Sequence, residues 1–166
     1  MIEIQVAAGN IIAYGLPYLL LYPIIDCNKS GKWEKDCKIE DVCDYDTKSA
    51  KVPYAFDWNN QRTLHNLITD FDLLCASHFE IGFFAQAYFI GLMIMSAFTP
   101  YLQDKYGRWK IFLSTSAINL LVLIGYLCLQ ASPQRFSTSN QYLLYGLFLI
   151  LGLETPGRML TGFVYY

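Results

Sequence analysis

Residues 4–25 form a run of 22 positions without a charged side chain. As a helix rising about 1.5 Å per residue, such a run crosses the roughly 30 Å hydrocarbon core of a bilayer. Two more runs follow, residues 81–102 with 22 positions and residues 111–129 with 19, separated by only eight residues. So short a link makes the second and third helices an antiparallel pair. A fourth apolar run starts at Leu143, meets Glu154, Pro156 and Arg158, and resumes through Phe163 to Tyr166. Backbone in lipid must satisfy its own hydrogen bonds, and barrel strands need only about 9 to 11 residues, so runs of this length predict helices. The pattern predicts an all-α, multi-pass membrane protein of about four transmembrane helices, near residues 4–25, 81–102, 111–130 and 141–166, with the lipid bilayer as its first partner. A cleaved signal peptide does not fit the first run: Glu3 rather than a basic residue precedes it, and Pro17 and Pro23 interrupt it.

Charge is concentrated between the first two runs. Residues 26–80 hold seven Lys or Arg and eleven Asp or Glu, whereas the other 111 positions hold five and three. Toward the end of this segment Leu64, Leu67, Ile68, Phe71 and Leu74 recur at steps of three and four, which predicts a short amphipathic helix on the membrane surface or packed under the segment. The short links set the orientation. Residues 103–110 carry Lys105, Arg108 and Lys110, while residues 130–140 carry only Arg135, so the first link is predicted on the cytoplasmic side and residues 26–80 outside. The chain therefore reads as a first transmembrane helix (1–25), an outer cysteine-containing loop (26–80), and three further helices (81–166) with a cytoplasmic link at 103–110.

Composition agrees: 54% of residues are hydrophobic and 16% charged, against roughly 25% charged in an average soluble domain. A net charge of -2 leaves no basic excess for a phosphate backbone, which excludes a nucleic-acid partner. No nucleophile–base pair, phosphate-cradling glycine loop or metal-ligand spacing stands out, so neither an enzyme nor a cofactor is expected.

Cys27, Cys37, Cys43 and Cys75 all lie in the outer segment, whereas Cys128 falls in the third apolar run. An outside location is oxidising, so two disulfides are expected, with three connectivities open. Zinc is the rival, but intervals of 9, 5 and 31 residues contain no Cys-x-x-Cys pair. The sequon Asn28-Lys29-Ser30 lies almost against the membrane and is read as a chance match. His65 and His78 have no partner at metal-ligand spacing and read as surface histidines.

In the link between the second and third helices, Gly107 permits a tight reversal, and Asp104 can reach Arg108 or the positive end of the third helix. In the fourth run Glu154 and Arg158 are four apart and share a helix face, with Pro156 between them. A charge at the bilayer centre costs roughly 2.5 to 3.5 kcal/mol or more, so this intramembrane charge pair is expected to face protein or a cavity. Asn10, Gln86 and Asn119 are expected to bond between helices. Small residues such as Gly82, Ala85, Gly91 and Ser96, then Ser114, Ala117 and Gly125, allow close helix packing.

Asp104-Lys-Tyr-Gly107-Arg108-Trp-Lys110 resembles the loop between helices two and three of the major facilitator superfamily, Gly-x-x-x-Asp-x-x-Gly-Arg-Arg/Lys. Pro100 stands at the family's first glycine, and Trp109 takes the second basic place with Lys110 one residue later. The resemblance implies that Asp104, Gly107, Arg108 and Lys110 form a conformational latch between the two halves of a carrier. Thr69-Asp-Phe-Asp-Leu-Leu-Cys75, after a long cysteine-bearing loop, is similar to the Glu-Trp-Asp-Leu-Val-Cys of organic cation and anion transporters, and Arg158-Met-Leu-Thr-Gly162 resembles the Arg-x-x-x-Gly of helix four. Sugar porters share the Gly-Arg loop but generally lack the cysteine-rich insertion.

The resemblance implies membrane transport of a small organic ion, in the plasma membrane or an organelle membrane, with this chain as the first part of the N-terminal half. Two six-helix halves enclose such a carrier's substrate, so four helices call for other membrane helices as partners. The alternative is a non-transporting structural or accessory subunit of a larger membrane complex, a truncated relative of the carriers. An intramembrane proton or solute path through Arg158 and a purely structural pair are both open.

Overall fold

A computed structural model describes residues 15–29, 32–44, 49–60, 63–131 and 138–164. The chain divides into two compact units, Pro17–Gly82 in one and Met1–Leu16 with Phe83–Tyr166 in the other. Residues 15–19 are helical, residues 21–24 are irregular, and a strand opens at Ile25. The first apolar run therefore stops being helical before its predicted end at residue 25. Pro23 lacks a backbone donor and biases the preceding residue away from helix. The rest of that run, residues 4–14, lies outside the described residues.

The all-α expectation needs correction in the unit Pro17–Gly82. Strand β1 (Ile25–Lys29) is central in a three-stranded antiparallel sheet, flanked by β2 (Lys32–Glu34) and β5 (Tyr54–Phe56). Its register places Cys27 opposite Glu34 on one side and Tyr54 on the other. A one-turn helix α1 (Ile39–Val42) leads into β3 (Cys43–Asp44), which pairs with β4 (Ser49–Ala50). The alternation Ile25, Asp26, Cys27, Asn28 is the reason for the strand: Ile25 and Cys27 are buried and the residues between them only partly so. Both join a core with Val42, Cys43, Leu74 and Cys75.

The predicted amphipathic helix shrinks to α2 (Leu67–Asp70) and a 3-10 turn at Leu73–Cys75. Asp72 between them takes a left-handed φ of 50°, which ends the helical run. Leu67, Ile68, Phe71 and Leu74 are buried as the spacing requires, while Leu64 is exposed. Asn66 caps α2: its Oδ1 accepts from the N–H groups of Ile68 and Thr69, and the Thr69 hydroxyl closes the capping box. The same buried side chain donates through Nδ2 to the carbonyls of Leu21 (2.6 Å) and Tyr18 (3.3 Å). Asn66 thereby ties the chain just beyond the first helical stretch to α2.

The Tyr54 hydroxyl donates to the Asp72 carboxylate. Burial, and then that carboxylate, hold the phenol above its ordinary value of 10.0. An unfolded tyrosine loses its proton near that value while folded Tyr54 keeps it, so this stabilisation is whole below pH 10 and declines as pH rises further. Alkaline titration of thermal stability is expected to show that decline in the wild type and a flatter profile in Tyr54→Phe.

Three helices in the described residues are long and apolar enough to cross a membrane, within α3 (His78–Tyr106), α4 (Arg108–Ala131) and α5 (Thr138–Val164). They match the second, third and fourth predicted runs and extend beyond the uncharged stretches by up to a turn. Pro100 and Pro156 both lie inside helices. Phe84 packs on Tyr145 and Phe148, Gly91 on Leu149 and Leu153, and Gly152 on Tyr88 and Leu92, so α3 and α5 run in the same direction. Gly125 meets Leu147 and Gly157 meets Thr115, so α4 runs against α5.

The α3–α5 crossing depends on absent side chains. A Cβ on Gly152 would overlap the Tyr88 carbonyl oxygen, and one on Gly91 the Leu149 carbonyl oxygen. Backbone cannot yield as a side-chain tip can. Gly152→Ala is expected to force the helices apart at a cost of about 1–3 kcal/mol, and Gly146→Ala, which meets nothing within 4 Å, to be tolerated. Unfolding of both variants in detergent micelles checks this. Large apolar side chains such as Phe89, Met93, Phe98, Leu121 and Leu127 point outward, as lipid-facing positions should.

Candidate functional site

The buried charges lie one turn apart on α5, beside the close packing at Gly152 and Gly157. Arg158 Nη2 donates to Glu154 Oε1 at 2.5 Å, and each residue is only 2% exposed. The expected pair is thus formed and faces protein. Its hydrogen bonding is incomplete: Glu154 Oε2 and Arg158 Nε are buried with no partner. Tyr88 on α3 is fully buried within electrostatic reach of both charges, with its hydroxyl against Thr155. Thr155 between them is satisfied, donating to the Leu151 carbonyl at 2.7 Å. Tyr88 is not legible from sequence, because one tyrosine in an apolar run carries no period or motif.

The link between α3 and α4 is a single residue. Gly107 has φ +90°, its N–H donates to the Gln103 carbonyl at 3.0 Å, and its own carbonyl accepts from Ile111 at 3.3 Å. It closes one helix and opens the next in a conformation that glycine adopts without penalty. Asp104, Arg108 and Lys110 are all exposed. The local contact expected of Asp104 is not made: among the described residues its carboxylate has no hydrogen bond or ion pair, since the reversal at Gly107 leaves it and Arg108 in solvent. Lys105 instead lies over the rings of Tyr106 and Tyr101, 5.4 and 5.8 Å from their centroids.

The structure joins Cys27 to Cys37 and Cys43 to Cys75, selecting one of the three open connectivities and occupying the thiolates that zinc would need. Cys128 is free and exposed on α4. Asn28 of the sequon sits in the central strand with Oδ1 buried. His65 stacks on Trp58 with ring centroids 4.2 Å apart, and Tyr22 lies 3.1 Å from His78 Nδ1. Asn119 keeps a buried, unpartnered Oδ1, Gln86 is exposed, and Asn10 lies outside the described residues.

Two known proteins are similar to the chain. Human solute carrier family 22 member 2 is 26% identical over 133 residues, covering 78% of this chain and 22% of its own length. A candidate transporter of Caenorhabditis elegans, B0361.11, is 26% identical over 118 residues, covering 63% of this chain and 20% of its own. The chain thus spans about a fifth of the length of these relatives. Both are named as carriers rather than enzymes, a distant relationship that supports a transporter-like membrane protein. No family model and no solved structure matches.

Proposed function

We propose that this chain carries the opening helices of a membrane carrier for small organic ions, built on the major facilitator plan and close in kind to the organic cation and anion transporters. The observation that carries the reading is the similarity to solute carrier family 22 member 2 across most of the chain. The turn at Gly107 supports it: Asp104, Arg108 and Lys110 are exposed around a one-residue reversal, and Asp104 is free to latch onto a partner outside these helices. Further membrane helices would cover the open apolar faces, and the carrier would reside in the plasma membrane or an organelle membrane. The accessory-subunit alternative gains no support from either relative.

Uptake tests the proposal. The gene product expressed in cells is expected to take up tetraethylammonium or benzoate saturably, above a vector control. Asp104→Ala is expected to lower that uptake at least tenfold at equal membrane abundance. Absence of saturable uptake of either ion at confirmed membrane abundance rejects the reading.

A further inference from the structure

Cys27 stands on the central strand β1, and the register puts Glu34 of β2 directly opposite it. Cys37 returns to the same place, its N–H donating to the Ile25 carbonyl at 2.9 Å and its Sγ lying 3.5 Å from the Glu34 carbonyl oxygen. Asp36 makes this return by taking a left-handed φ of 57°, with its N–H donating to Asp26 Oδ1 at 3.3 Å. Two sulfurs and a carboxylate oxygen are thereby gathered within 4.8 Å of one another. Backbone pairing, and not the Cys27–Cys37 bond alone, holds them there.

The two disulfides differ in reach. Cys27, Cys43 and Cys75 are buried, whereas Cys37 is half-buried and lines a cleft of about 600 Å³ with Pro23, Ile24, Asp36, Lys38 and His78. A small thiol can therefore reach the Cys37 sulfur, and access is one of the conditions of thiol–disulfide exchange. Among the described residues the Cys43–Cys75 pair gathers no third metal-ligating side chain.

We propose that Cys27, Cys37 and Glu34 form a zinc site once a thiol reductant opens the Cys27–Cys37 bond. A thiolate attacks Cys37 Sγ, the S–S bond breaks, and the Cys27 sulfur leaves with the electron pair. A second thiol then displaces Cys37, so the reductant departs as a disulfide, oxidised by two electrons, and both cysteines are left reduced. Each cysteine gives up its proton to water as the metal binds. The donor set fits zinc: thiolates select against calcium and magnesium, and four-coordinate zinc takes two sulfurs and a carboxylate with water in the fourth place. Neighbouring ligands of such an ion are roughly 3.5–3.8 Å apart, so small side-chain rotations suffice. The unit Pro17–Gly82 is thus pinned at this point by a disulfide in one state and by a metal ion in the other. The proposal goes beyond the carrier reading and does not depend on it.

Cadmium, which binds thiolates as zinc does and absorbs through them in the ultraviolet, is the probe. The full chain in lipid nanodiscs is reduced with dithiothreitol, desalted under argon and titrated with the ion. A thiolate-to-cadmium absorbance is expected to appear in the reduced protein and to be displaced by excess zinc. Bound cadmium is expected to protect Cys27 and Cys37 from alkylation by iodoacetamide, as read by peptide mass. Exposed Glu34 can be changed without disturbing a core, and Glu34→Gln is expected to weaken cadmium binding by about 10–100-fold, as the loss of even an outer-shell partner does. No cadmium absorbance on reduction, protection that maps to other cysteines, a band that zinc does not displace, or an affinity unmoved by Glu34→Gln overturns the proposal.

Discussion

Glu154→Ala is expected to destabilise the helical unit by about 3–5 kcal/mol, because removing one member of a buried ion pair leaves the other charged and unmatched. Arg158→Ala is expected to cost a similar amount for the mirror reason. Glu154→Leu combined with Arg158→Met removes both charges and refills the space, so the double variant should recover most of the loss. The non-additivity is the signature: two losses that largely cancel identify a pair, whereas two that sum identify independent sites. Reversible unfolding in detergent micelles of the wild type, Glu154→Leu, Arg158→Met and the double variant, compared in one cycle, gives the coupling energy. A coupling below about 1 kcal/mol, the range of exposed pairs, would contradict the burial of both residues.

Removing the Cys43–Cys75 disulfide is expected to cost the unit Pro17–Gly82 about 4 kcal/mol, and removing Cys27–Cys37 about 3 kcal/mol, from the loop-closure entropy restored to the unfolded chain. The ranking follows from sequence separations of 32 and 10 residues. Three of the four sulfurs also sit in the same small core beside Ile25, Val42 and Leu74, so Cys→Ala replacements add a packing loss to the entropic one. Proteolysis of the paired Cys→Ala variants, with intact mass confirming the bond that remains, should show greater susceptibility when the longer loop is opened. Equal susceptibility would mean that the unfolded segment is already constrained by other contacts.

Much of the helical unit was legible because its cause is local. The uncharged runs 81–102 and 111–129 each became a helix, as did the interrupted run after Leu143, and the first two have ends shifted outward by a few residues where turn residues such as Tyr106 and Arg108 still have room to wind around Gly107. The Glu154–Arg158 pair was legible for the same reason, since four residues on a helix is one turn. The strands are not legible in the sequence although Ile25 to Asn28 alternates, because the pattern is short and abuts an apolar run that reads equally well as helix. The amphipathic helix was overextended because periodicity does not register the left-handed residue at Asp72.

The amino-acid sequence by itself determined that residues 81–129 make two antiparallel helices long and apolar enough to cross a membrane, that a charged pair shares one face of a further helix, and that four cysteines gather in one polar segment. These follow from hydropathy, helical period and chain position, all of which act between neighbours. Only the tertiary structure decided which cysteines join, that Gly152 rather than Gly82 brings two helices into backbone contact, and that Gly152 meets the backbone of Tyr88. Those outcomes depend on the angle and register at which distant segments meet. Many registers satisfy the same hydrophobic pattern, and side-chain shape and backbone sterics at the crossing choose among them.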